Sequence, residues 1–289
     1  MEKSKCNNNG LIRMVIINLI NRFSTGNNIA AILLGAAIVI AKSIFYMKYS
    51  VGHTVNIFES YILNFSSNRH IIFVIVPTLL LFIDAPFIDD YTFVSVYRIK
   101  RKKWFYSNYL YIVLRALLYN IFLLLASMIP LVSVGYIENR WSQTFLCMMY
   151  GYNDRIDKYN LAVPLKELAD LSPLKTVVLT VILFSLYIVF FAEVIFSINM
   201  LCKRKYLGTI MACLIYLLTT LIDGQAFRSS DIVKKYSLIR NAILPLGYCP
   251  ELSDYKFSIL YMILLNYIVY IFASTLYPFA DFEESNNEN

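Results

Sequence analysis

Charge is scarce in this sequence. Of 289 residues, 16% are Asp, Glu, Lys or Arg, whereas 58% are hydrophobic and the mean hydropathy is +0.59. A soluble domain has about a quarter of its residues charged, so the composition excludes an ordinary soluble domain. Histidine is scarcer still. Only His53 and His70 occur, and neither sits in an H-E-x-x-H pattern, which excludes a helical zinc-protease site of that type. The five cysteines, Cys6, Cys147, Cys202, Cys213 and Cys249, form no C-x-x-C, so a zinc or thiol-redox centre has no support. Only Cys147 and Cys249 fall in predicted external loops, where a disulfide between them could form. There is no G-x-x-x-x-G-K-[ST] loop, so the chain does not bind and split ATP by that route. There is no G-x-S-x-G elbow either.

What is present is long apolar runs, with Tyr (23) and Phe (20) in excess. Aromatic side chains favour membrane interfaces. The fold class read from this is all-α, a polytopic membrane protein forming a single transmembrane domain over residues 1–289. Six spans are expected at about 29–47, 71–88, 109–136, 174–200, 207–222 and 257–277, most near the ~20 residues that cross a hydrocarbon core. The fifth is short. Before them, residues 11–23 place Ile12, Val15, Ile16, Leu19, Ile20 and Phe23 on one helical face and Asn18, Asn21 and Arg22 opposite. That is the pattern of a helix lying in the interface plane. The other reading is an extension of the first span, against which Thr25-Gly26-Asn27-Asn28 supplies turn chemistry. The leading MEKSKCNNNG and the interruptions at Arg13, Asn18, Asn21 and Arg22 do not make a secretory signal.

Loop charge sets the expected orientation. Lys3, Lys5, Arg13 and Arg22 precede the first span. Arg98, Lys100, Arg101, Lys102 and Lys103 lie between the second and third, and Lys203, Arg204 and Lys205 between the fourth and fifth. Short, dense basic loops belong in the cytoplasm, so both termini are expected there. The net charge of +7 thus reflects topology and not a nucleic-acid partner. The loop at 137–173 is long enough for a small cap on the outer leaflet. In the loop at 223–256, Leu244-Pro245-Leu246-Gly247-Tyr248-Cys249-Pro250 reads equally as a broken piece at the membrane surface or as an ordinary loop.

A charge near the bilayer centre costs about 2.5–3.5 kcal/mol on insertion scales, so each one needs a reason. Lys42 lies toward the outer end of the first span, where its stem can snorkel. Asp84, Arg115 and Glu193, on spans two, three and four, all fall in the cytoplasmic half. Asp84 is expected to approach Arg115, or Arg115 to pair with Glu193, either as a packing lock or as a gate.

The hairpin at 89–108 is the other notable stretch. If 91–104 is helical, Phe93, Tyr97 and Trp104 share one side, with Arg98, Arg101 and Lys102 on the other. An aromatic face of this kind suits a cleft on a cytosolic partner, although basic loops with interfacial aromatics also serve topology alone. The architecture resembles the permease subunit of type-2 ABC exporters. The matching features are Leu11–Phe23 for the amphipathic helix, Asp89-Asp90 for acids after the second span, Tyr91–Trp104 for the coupling helix and Leu244–Pro250 for a broken segment before the sixth span. It is also similar to clostridial-type ABC permease-like membrane proteins with an A-P-F-(I/V)-x-D…Y-R…R-x-W hairpin. The long connection between spans three and four departs from the tight external turn of the exporter family.

The resemblance implies a cytosolic ABC ATPase on a separate chain, bound at Asp89, Asp90, Phe93, Tyr97, Arg98, Arg101, Lys102 and Trp104. It also implies a second permease copy or a sibling permease, no cofactor in this chain, and a bacterial cytoplasmic membrane as the location. The alternative function is a non-transporting scaffold or sensor that docks a partner through the same hairpin. An intramembrane enzyme has the least footing, since clustered catalytic side chains are missing.

Overall fold

The computed structural model describes residues 8–23, 25–86, 101–150, 161, 165–202, 206–223, 235–247 and 254–277. Two helices open the chain, α1 (Asn8–Phe23) and α2 (Gly26–Tyr49). Thr25 separates them in an extended conformation, and its hydroxyl donates to the Arg22 carbonyl at 3.0 Å. After β1 (Val55–Asn56) and α3 (Glu59–Asn64), α4 (Asn68–Phe82) returns to the α1 end. The next helix, α5 (Arg101–Met128), continues into a 3-10 turn at Ile129–Leu131. Then come β2 (Gly135–Tyr136), α6 (Gln143–Met149) and a second 3-10 turn at Lys166–Asp170. The remainder comprises α7 (Pro173–Cys202), α8 (Leu207–Asp223), α9 (Leu238–Ala242), α10 (Leu244–Gly247) and α11 (Tyr255–Leu276).

Four of these are long and apolar enough to cross a membrane: Gly26–Tyr49, Arg101–Leu131, Pro173–Cys202 and Tyr255–Leu276. Helices α4 and α8 are apolar but shorter, 15 and 17 residues, or about 22 and 26 Å at 1.5 Å per residue. The described part of α4 stops earlier than the expected 88 because the chain turns at Ile83–Pro86, with the Ala85 amide donating to the Phe82 carbonyl. Helix α5 begins eight residues earlier than the expected 109. Arg101–Asn108 are therefore its first two turns and not the return limb of a loop, since no Gly or Pro interrupts this stretch.

The helices are sorted for an apolar solvent. On α8, Gly208, Ala212 and Tyr216 face the protein, while Leu214, Leu217, Leu218 and Leu221 are exposed. On α11, Ser258, Met262, Asn266 and Ala273 are buried, while Ile263, Leu264, Ile268 and Phe272 point outward. On α2 the buried set includes Asn28, Gly35, Lys42 and Ser43. Small and polar residues inside with large aliphatics outside is the arrangement of helices in lipid, where association depends on close packing and internal hydrogen bonds. Helix α1 follows the same rule. Ile12, Ile16, Ile20 and Phe23 are exposed, whereas Val15 and Arg22 pack inward, chiefly on α5. Together these observations make the chain an all-α multi-pass membrane protein.

The centre is α7, apolar all round and largely buried. It is flanked by α5, α8 and α11. Glycine permits the tightest of these contacts. A Cβ at Gly208 would meet the Ile195 carbonyl oxygen at 2.5 Å, and one at Gly35 would run into the Tyr119 hydroxyl. Asn120 pins the middle of the bundle. It accepts from Tyr61 Oη at 2.6 Å and donates to the Val181 carbonyl at 2.9 Å and Ser185 Oγ at 3.0 Å, joining α3, α5 and α7.

The end opposite α1 carries a small cap. Its only sheet among the described residues is a two-residue parallel pairing, Val55 with Gly135 and Asn56 with Tyr136. Within the long 137–173 stretch, Trp141 stacks on Phe145 at 4.9 Å and donates its indole hydrogen to the Leu171 carbonyl at 2.7 Å. Cys147 is a free thiol, so the bridge left open from the sequence is not formed at that residue, and Cys249 lies outside the described residues. Of the Leu244–Pro250 segment, Leu244–Gly247 forms α10. Ile243 and Leu244 are buried, and α9 and α10 pack on α7, so this broken backbone sits against protein.

Candidate functional site

Three of the residues singled out by charge gather where α1, α2, α4 and α5 meet. Arg22 ends α1, Asn27 and Asn28 lie in the first turn of α2, Asp84 follows α4, and Tyr111 and Arg115 stand one turn apart on α5. Arg22 and Arg115 are 6% and 8% exposed, burial that a charged side chain tolerates only with partners. Arg115 donates to Tyr111 Oη at 2.6 Å and to Asn28 Oδ1. Its guanidinium also lies 5.4 Å from the ring centroids of Phe82 and Tyr111, within cation–π reach. The Asn28 amide in turn donates to the Arg22 carbonyl. Asn27 Nδ2 donates to Asp84 Oδ2 at 3.3 Å. Adjacent asparagines at the start of α2 therefore receive the two charged residues that flank the hairpin. Asp84 is close enough for its charge to act on Arg115, as is Arg22.

A cavity of about 280 Å³ opens at this corner. Its lining is mostly apolar: Leu19, Ile32, Leu118 and Phe122 border it, together with parts of Arg22, Asn28, Tyr111 and Arg115.

Glu193 belongs to a separate centre, which corrects the expected Arg115–Glu193 pair. Glu193 Oε1 accepts from the Tyr109 hydroxyl, and Tyr109 packs edge-on against Tyr270 at 4.8 Å. Glu193 is 1% exposed, and its Oε2 has no partner among the described residues.

Trp104 also departs from expectation. It is fully buried, its ring centroid 6.1 Å from that of Phe196, while neighbouring Phe105 stacks on Tyr277 at 4.9 Å. It is a packing residue of α5 and does not present a face to a partner. Arg101 and Lys102 are exposed, and Lys102 Nζ stands 5.9 Å from the Tyr106 ring centroid. Asp89, Asp90, Phe93, Tyr97 and Arg98 lie outside the described residues.

Lys42 is 8% exposed and so is drawn into the protein, with its charge acting on His70. The cap holds a cluster that sequence reasoning missed. Glu59 is fully buried and accepts from Tyr46 Oη at 2.8 Å, the Asn56 amide at 3.1 Å, and the Ser142 amide and Oγ at 2.6 and 2.7 Å. Burial pushes its carboxyl up to about 7 despite these donors. A lone acid between Ile57-Phe58 and Tyr61-Ile62-Leu63 was the available signal. Asp223 accepts from Arg240 Nε at 2.5 Å and Ser237 Oγ at 3.1 Å, tying the end of α8 to α9.

Among the described residues there is no group of three or more His, Cys, Asp or Glu able to hold a metal ion. No protein-family model, curated protein or solved structure matches this chain.

Proposed function

We propose that this chain is the membrane-spanning permease subunit of an ABC-type exporter, moved by an ATPase on a separate chain. In this reading α2, α4, α5, α7, α8 and α11 all cross the bilayer. Both termini and the connection between α4 and α5, within the 89–108 hairpin, are cytoplasmic, as the basic loops favour. The substrate path lies between this chain and a second permease copy.

The observation that carries the reading is the anchorage of α5 on both sides of its first turns. Trp104 and Phe105 pack on Phe196 and Tyr277 of the α7–α11 side. About three turns further along, Arg115 is held by Asn28 of α2. The other limb of the hairpin leaves α4 at Asp84, which Asn27 of α2 holds. A force applied to the hairpin from the cytosol therefore reaches α2 through both limbs and α7 through the aromatic joint. A rigid helix packed at its base is a suitable lever, because packed interiors transmit displacement and do not absorb it.

The test is co-purification of the full chain from its native membrane in mild detergent. An associated ATPase that is retained by the native chain and lost with Arg98→Glu supports the reading. A native chain that brings down no ATPase overturns it.

A further inference from the structure

We propose that the corner cavity between α1, α2, α4 and α5 takes up a hydrocarbon chain of a bilayer lipid, which enters beside Leu118 and Phe122 and lies against Leu19, Ile32 and Leu81. The proposal needs only that these helices stand in a bilayer and does not rest on the exporter reading.

Size and walls together select the guest. The cavity, of about 280 Å³, exceeds the ~150 Å³ of an apolar cavity that takes up benzene or xenon. Its lining is mostly apolar, and the polar side chains at its edge are already engaged. Arg115 donates to Tyr111 Oη and to Asn28 Oδ1, while the Asn28 amide donates to the Arg22 carbonyl. Both ends of the Asn28 side chain are therefore used, and the Arg22 side chain is partnered as well. A buried water needs several polar partners, and a free ion needs more. These walls present methyl, methylene and ring surface, which suits a chain of methylenes.

The cavity also has a route to such a chain. Leu118 and Phe122 are 53% and 39% exposed and carry it out onto the lipid-facing side of α5. Leu81 of α4, at its inner wall, is only 3% exposed. Helix α1 packs chiefly on α5 and lightly on α2, so the Arg22–Asn28 joint holds α1 to α2 where continuous side-chain packing is lacking. A chain that leaves the bilayer for this site gains no hydrophobic transfer energy, because both places are apolar. It gains the dispersion contacts that the lining of an empty cavity forgoes, in an interior that is otherwise close-packed.

The experiment uses the full chain in nanodiscs of phosphatidylcholine or phosphatidylglycerol with a diazirine within one acyl chain. After photolysis, adducts are mapped by peptide mass spectrometry. Ile263, on the outward side of α11, reports labelling by the surrounding lipid, and Leu183, fully buried on α7, reports the background. Leu81 should label well above Leu183, and equally with the two headgroups. Ile32→Phe places a ring in the cavity and should bring Leu81 down to the Leu183 level while Ile263 stays unchanged. Leu19→Phe fills the cavity from the α1 side and should do the same, and it decides if Ile32→Phe does not survive purification. Leu81 at background in the native chain means that lipid does not enter, and overturns the proposal. Labelling of Leu81 that requires the phosphatidylglycerol headgroup, or that persists undiminished in the filled variants, overturns it too.

Discussion

Tyr109 donates its hydroxyl hydrogen to Glu193 Oε1, and six residues later on the same helix Arg115 donates to Asn28. Six residues at 3.6 per turn place the two side chains about 120° apart around α5. One side of the helix thus serves α7 and α11, the other α1 and α2. Removing the Tyr109 hydroxyl leaves a buried carboxyl without its donor, at a cost of about 1–3 kcal/mol. Tyr109→Phe should therefore lower the melting temperature clearly. The effects of Tyr109→Phe and Glu193→Gln should be strongly non-additive when combined, as expected for groups in contact. Additive losses across that double-mutant cycle would show that the two groups do not interact.

That phase relationship also marks what was legible. The apolar runs announced the long helices, because a bilayer requires an unbroken apolar stretch and few other features produce one. Expected 174–200 and observed Pro173–Cys202 differ by one or two residues. That Asp84 and Arg115 lie near one level of the bundle was legible for the same reason. Which charge meets which was not, since depth constrains position along the bundle axis and says nothing about rotation around each helix. Trp104 misled because an aromatic beside lysines reads as interfacial, yet α5 starts at Arg101 and rotates that ring onto Phe196. The cap was hidden because Glu59 and Ser142 are 83 residues apart, and neither carries a local signal of the contact.

The asparagine pair should matter more than its neutral chemistry suggests. Asn28→Ala removes the acceptor for Arg115 and the donor to the Arg22 carbonyl in one step. A buried guanidinium then loses a fixed contact, at about 1.5–3 kcal/mol for a hydrogen bond to a charged group. Asn27→Ala removes one longer, exposed bond to Asp84 and should cost much less. Thermal unfolding of the two variants in the same detergent checks the ranking, and equal losses would contradict it.

The two close-approach glycines should differ in severity. At Gly208 an added methyl meets backbone, the Ile195 carbonyl oxygen at 2.5 Å, so α7 and α8 must separate. At Gly35 it meets the tip of the Tyr119 side chain. Overpacking costs about 1–3 kcal/mol, and Gly208→Ala should fall at the upper end. Tyr119→Phe should partly rescue Gly35→Ala by deleting the clashing oxygen, whereas no side-chain change on α7 should rescue Gly208→Ala. Expression and melting temperature of the four variants decide this.

Packing and docking can be separated at the hairpin. Trp104→Ala empties a fully buried site and should destabilise the chain by about 3–5 kcal/mol. Arg98→Glu should leave the melting temperature near that of the native chain and act only on an associated ATPase. A stable Trp104→Ala variant would place that ring outside the aromatic joint with Phe196.

The cap should lose stability as pH rises. The Glu59 carboxyl is pushed from its ordinary 4.5 to about 7, because burial penalises the charged form more than its four donors favour it. Below pH 4.5 the folded and unfolded chains both hold the proton. Between 4.5 and about 7 the folded chain keeps it and the unfolded chain has released it, so the folded state binds more protons and its stability declines with rising pH. Above about 7 both forms are ionised and the decline ends. Melting temperatures of detergent-purified protein at pH 5 and pH 7.5 should therefore differ, the higher pH being less stable. In Glu59→Gln that difference should shrink, because a neutral amide occupies the same site at both values. A Glu59→Gln variant with an undiminished slope would assign the titration to another group and leave the buried carboxyl charged throughout.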